Sequence, residues 1–139
     1  MRDASAQADT EYAIRDTQAE EVSPLEASGV AKLIVDLASE KQASDIVMLD
    51  LRQVSLLADY FVICSAGSER QMTAIVDEIR DVLRNQHHLR PLREEGKPSS
   101  GWILLDYGDV VVHIFAPAER GYYRLEDLWA HALPVVRVQ

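Results

Sequence analysis

The chain has 139 residues, of which 47% are hydrophobic and 27% charged, and 23 acidic residues against 14 basic ones leave a formal net charge of −9. This composition suits one compact domain with a proper core. The negative charge opposes binding to bare nucleic acid, whose non-specific affinity comes from clustered Lys and Arg, and makes a basic protein surface the better partner. Cys64 is the single cysteine, which excludes an intrachain disulfide and a thiolate metal cluster.

No apolar run approaches the roughly 20 residues of a membrane helix, and the stretch MRDASAQADTEYAIRD has neither the basic start nor the apolar centre of a signal peptide. A cytoplasmic protein is expected. Residues 1–22 are polar and acidic without a sustained apolar period and are expected to form a disordered tail, leaving 23–139 as the domain.

In SPLE, Ser23 can cap a helix, Pro24 suits its first position and Glu26 has capping-box spacing. Val30, Leu33, Ile34 and Leu37 continue that helix to about Lys41. DIVMLDL (45–51) and DYFVICSA (59–66) are apolar runs rich in β-formers, joined by a segment too short for a crossover helix, and are predicted as antiparallel neighbours. Ser68 and Gln71 then have capping-box spacing before Met72, Ile75, Val76, Ile79, Val82 and Leu83, which share one helical face. His87 and His88 follow at the negative end of that helix dipole. Adjacent helical residues diverge by about 100°, so the pair is not expected to hold a metal.

REEGKPSSG reads as a loop; WILLD and DVVVHIF read as a hairpin with its turn at Tyr107-Gly108. RGYYRLEDLWAHAL is predicted to contain a short helix at about 125–132, and VVRV to be a last strand. The irregular alternation of strands and helices predicts an α/β sandwich with a mixed sheet. Both faces of the hairpin are apolar, which leaves room for an exposed sheet face that binds another chain.

Asp106 and Asp109 flank the hairpin turn, where Asp commonly accepts backbone hydrogen bonds, and His113 stands in mid-strand as a core or interface histidine or, alternatively, a base. Gly67-Ser68 ends a strand and opens a helix, as a phosphate site or a simple cap would. The carboxylates that follow, Asp77, Glu78 and Asp81, lie inside the helix and cannot form the two-metal pair of a nucleotidyltransferase. Ser65 and Ser68 lack the surroundings of a nucleophile elbow, and Cys64 reads as a small buried side chain. Tyr60, Phe61, Trp102, Tyr122, Tyr123 and Trp129, several of them beside charges, suit either a core or an interface with an apolar centre and charged rim.

Three blocks, ADYFVICSAGSERQMTAIVDEI, EEGKPSSGWILLDYGDVVVHIF and RGYYRLEDLWAHA, resemble the ribosomal silencing factor family, or Iojap-like proteins, from about Leu25 to Leu133. The resemblance implies an α/β domain related to the nucleotidyltransferase fold without its catalytic carboxylates, and a protein that is not an enzyme and needs no cofactor or metal. It further implies binding to the fourteenth protein of the large ribosomal subunit, steric block of small-subunit joining, repression of translation when nutrients are short, and a homodimer in the free state. Carried over by motif, the partner-binding residues are Asp59, Tyr60, Trp102, Leu104, Asp106, His113, Arg120, Tyr123, Glu126 and Trp129. Trp102 and Leu104 are expected at the apolar centre, and Asp59, Asp106 and Glu126 opposite Lys or Arg of the partner. Two other classes stay open: a nucleotide-binding or phosphoryl-transfer remnant built on Gly67-Ser68, and a homodimeric scaffold without ribosome binding.

Overall fold

The computed structural model describes residues 25–123 and 133–138, with the backbone alone at 121–123 and 133–137. Its elements in chain order are α1 (Ala27–Glu40), β1 (Ser44–Asp50), β2 (Tyr60–Ser65), α2 (Glu69–His87), β3 (Arg93–Lys97), a 3-10 turn (Pro98–Ser100), β4 (Trp102–Asp106), β5 (Val110–Phe115), α3 (Pro117–Tyr123) and β6 (Leu133–Val138). Among the described residues the strands form one six-stranded sheet in the order β3-β4-β5-β2-β1-β6. Every neighbouring pair is antiparallel except β2 and β5, which run parallel and make the α/β sheet mixed, as expected. The acidic tail, the Ser23-Pro24 start and the helix expected at 125–132, with Glu126 and Trp129, lie outside the described residues.

Side-chain alternation divides the sheet into two apolar faces. Ile46, Met48, Tyr60, Val62, Cys64, Ile103, Leu105, Val112 and Ile114 share the main core with α1 and α2. The helices contribute Val30, Ala31, Ile34, Leu37 and Ala38 from α1, and Met72, Ile75, Val76, Ile79 and Leu83 from α2, at the spacing that places them on one side of each helix. Val47, Leu49, Leu51, Ala58, Ile63, Leu104, Val111 and Phe115 form a second cluster on the opposite side. Its members are buried within the chain, which corrects the expectation of an open apolar sheet face. Burial avoids the cost of leaving so wide an apolar surface in water. Phe61 and Trp102, packed against this cluster, remain only partly buried.

The start of α2 shows how the sequence fixes the junction between helices. Ser68 is the N-cap, and its hydroxyl accepts the Gln71 N–H at 3.0 Å. The Gln71 side chain reaches back to accept the Gly67 N–H at 2.6 Å and donates to the carbonyls of Lys41 and Gln42 at 3.1 and 2.7 Å. The capping box is thus displaced by one residue and ties α2 to the end of α1. Ser68→Ala is expected to cost about 1 kcal/mol, read as a lower urea midpoint at unchanged slope.

Two expectations require correction. Helix α1 begins at Ala27 with Glu26 as its N-cap and no side-chain capping bond, later than the Ser23 signal suggested. The stretch expected to be a loop contains β3, an exposed edge strand. Strand pairing with β4 creates it without any apolar alternation, and its charged residues suit a sheet edge. Close approach to β4 explains Gly96: its φ is +84°, and a Cβ there would lie 2.0 Å from the Trp102 carbonyl oxygen.

Candidate protein-docking site

Strands β4 and β5 pair Trp102 with Phe115, Leu104 with His113 and Asp106 with Val111. On the other side of β5, the parallel register sets Ile63 beside His113 and Phe61 beside Val111. Period-two alternation therefore gathers Phe61, Trp102, Leu104, Asp106, His113 and Phe115 on one face.

Trp102 donates its indole N–H to His113 Nδ1 at 3.3 Å. The two ring planes are 5° apart with centroids 6.1 Å apart, Trp102 and Phe115 are nearly parallel at 6.1 Å, and Phe61 tilts against His113 at 4.7 Å. Only 5% of His113 is exposed, and burial lowers its pKa to about 4 against an opposing pull from Asp106. The ring is consequently neutral near pH 7. Because Nδ1 accepts, the proton sits on Nε2, which is buried without a hydrogen-bond partner. This imidazole orients an indole and is poorly suited to act as a base.

The other carried-over residues occupy different places. Asp106 accepts the Gly108 N–H at 2.8 Å and lies 3.6 Å from an Arg93 guanidinium nitrogen, so it closes the hairpin turn as its position predicted. Asp59 precedes β2 and Tyr60 begins it, and both of their N–H groups donate to the Asp109 carbonyl. Tyr60 enters the main core, on the face away from Trp102, with the Arg52 guanidinium 5.4 Å over its ring. Leu104 is 6% exposed and stands beside Trp102 on the same face of the sheet. Arg120 donates to Ser65 Oγ at 3.0 Å and to the Asp45 carbonyl, fastening α3 to two strands at the end of the sheet where Trp102 pairs with Phe115. Tyr123 ends α3, and nothing of its side chain is described. Sequence reasoning did not give Phe115 a role, although its register opposite Trp102 makes it part of the aromatic row.

The features that suggested other chemistry are engaged elsewhere. A cavity of about 220 Å³ at the start of α2 is lined by Gly67, Ser68, Glu69 and Glu119. The Gly67 and Gln71 N–H groups are already taken by side-chain acceptors, and the two carboxylates disfavour an anion. Burial pushes the Cys64 thiol up to about 12, far from a reactive thiolate. Asp77 and Asp81 pair with Arg80 and Arg84 at 3.1 and 3.3 Å. His88 forms the left-handed C-cap of α2, and no group of three potential ligands that could hold a metal occurs among the described residues.

Residues 24–139 match the family model described as "Ribosomal silencing factor during starvation". The chain belongs to the ribosomal silencing factor family. The silencing factor of Halalkalibacterium halodurans is 42% identical over 108 residues, covering 78% of this chain and 91% of the relative. That of Bacillus subtilis is 42% identical over 103 residues, covering 74% and 86% respectively. A crystal structure of a Chromobacterium violaceum protein superposes with a TM-score of 0.72 at 31% identity, covering 76% of this chain and 88% of that one. Membership sets the chain among ribosome-associated repressors of translation, a regulatory family. Among the described residues, no helix is long and apolar enough to cross a membrane.

Proposed function

We propose that this silencing factor acts in the cytoplasm by binding the fourteenth protein of the large ribosomal subunit and sterically preventing the small subunit from joining. The observation that carries this reading is the partly buried Trp102 indole, held by its hydrogen bond to His113 and by stacking near Phe115. A rigid aromatic side chain loses little conformational freedom on binding, which suits an interface anchor. Trp102 supplies the apolar centre, with Leu104 supporting it from beside it on the same face. Asp59, Asp106 and Glu126 pair with Lys or Arg of the partner, in keeping with the net charge of −9. Tyr60, His113 and Arg120 hold the surface in shape, and Tyr123 and Trp129 are further contacts to the partner.

Silencing on this reading requires affinity and position, with no bond made or broken. The free protein is a homodimer, and the ribosomal partner replaces that contact. The deciding experiment is co-sedimentation with purified large subunits, followed by addition of small subunits. Binding accompanied by fewer joined ribosomes supports steric silencing; failure to bind overturns the proposed partner. Trp102→Ala is expected to weaken binding about 30-fold, equivalent to about 2 kcal/mol for a central aromatic anchor. An unchanged Kd would remove Trp102 from the interface.

A further inference from the structure

The loop joining β1 to β2 is anchored at both ends, since Leu51 and Ala58 are buried in the cluster against which Trp102 packs. Inside it, the N–H groups of Val54 and Ser55 donate to the Leu51 carbonyl at 3.0 and 2.9 Å. The Leu57 N–H donates to Ser55 Oγ at 3.0 Å, and the Leu51 N–H to the Asp59 carbonyl at 2.8 Å. Asp50 and Arg52 form a two-pronged ion pair, at 3.0 and 2.7 Å, at the base. This bracing presents two adjacent leucines to solvent: Leu56 is 104% exposed and Leu57 86% exposed. Single exposed leucines are ordinary, whereas an adjacent pair on a hydrogen-bonded loop leaves a concentrated apolar surface unused.

We infer that Leu56 and Leu57 are a second docking element, inserted together into an apolar depression on a basic protein surface. Charge selects this occupant. Asp59 follows the leucines by two residues, and its N–H donates to the carbonyl of Asp109, which brings two acidic residues together at the foot of the loop. A partner rich in Lys and Arg complements that acidic pair, while a second copy of this chain brings the same pair and another net charge of −9. The inference rests on the ribosomal partner proposed above and extends its contact from Trp102 along the sheet to the opposite strand ends, where β1 joins β2.

The test uses the full chain with Leu56→Ser/Leu57→Ser and with Leu56→Met/Leu57→Met, titrated against purified large subunits. Because both positions are exposed, the Ser pair is expected to keep the wild-type melting temperature while raising Kd tenfold or more. The Met pair, which preserves apolar volume, is expected to bind within about threefold of wild type. Wild-type binding with an unaltered Kd for the Ser pair would overturn this inference and leave the proposed partner standing. Failure of the wild type to bind would overturn the partner and this inference with it. A Ser pair that loses self-association at unchanged subunit affinity would assign the leucines to a second copy and likewise overturn the basic-partner assignment.

Discussion

Phe115→Ala is expected to reduce the free energy of unfolding by about 3–5 kcal/mol, the range for deleting a buried aromatic ring. Phe115 is almost wholly buried, sits opposite Trp102 in the strand register and lies 6.2 Å from the His113 ring centroid. Removing its ring opens space beneath the aromatic row that neighbouring strands cannot close without leaving their hydrogen bonds. For a domain whose whole stability is about 5–15 kcal/mol, this is a large fraction. Phe115→Leu fills most of the space and is expected to cost less than about 1.5 kcal/mol. Urea denaturation of the two variants measures both values. On the proposed function, Phe115→Ala should also weaken ribosomal binding because Trp102 loses a supporting wall. A cost below about 1 kcal/mol would mean that the row is loosely packed, and the case for a rigid Trp102 anchor would fail with it.

Legibility of the sequence followed the range of the interactions involved. The face of α2 could be read because Met72, Ile75, Val76, Ile79 and Leu83 meet one core at helical spacing. The β4–β5 hairpin could be read because both strands and their turn are adjacent in sequence. The parallel β2–β5 pair could not, since no local signal reports a pairing across the intervening helix and strands. Strand β3 lacked an apolar period because all its residues are exposed, and only pairing with β4 defines it. Helix α3, with Pro117 in its first turn and Glu119 complementing its dipole, was not expected, because seven residues are too few for an apolar period to show.

The candidate site divides in the same way. Alternation in YFVICS sets Tyr60 and Phe61 on opposite faces of the sheet, but which of them shares a face with Trp102 follows only from the β2–β5 register. Burial of Leu104 could not be read, because Trp102 and Leu104 have the same parity and differ only in what the folded chain packs over them. The Trp102–His113 bond required both the hairpin register and the side-chain directions. Family motifs therefore brought together residues with separate physical tasks: an indole oriented for contact, a histidine that orients it, a turn-closing aspartate and an arginine that fastens α3 to β1 and β2.

Stability is expected to fall as the pH drops from about 6.5 towards 4, with a large share of the loss due to His113. Its pKa is about 4 in the folded chain, from an ordinary value of 6.5, so the unfolded chain binds more protons throughout that window. Stability therefore rises with pH across the window and levels off above it, and the shift corresponds to roughly 3 kcal/mol. His113→Leu removes this titration but also leaves the Trp102 N–H without its acceptor, at a cost of about 1–3 kcal/mol. The variant should consequently be less stable than wild type at pH 7 yet flatter between pH 4 and 6.5, so that the two curves converge on acidification. Denaturant titrations across that range provide the comparison, with Trp fluorescence reporting on the indole. Equal slopes would mean that His113 does not enter the folded state neutral. An imidazolium Nδ1 has no lone pair with which to accept the Trp102 N–H, so the same result would remove, below about pH 6.5, the bond that holds the proposed anchor in place.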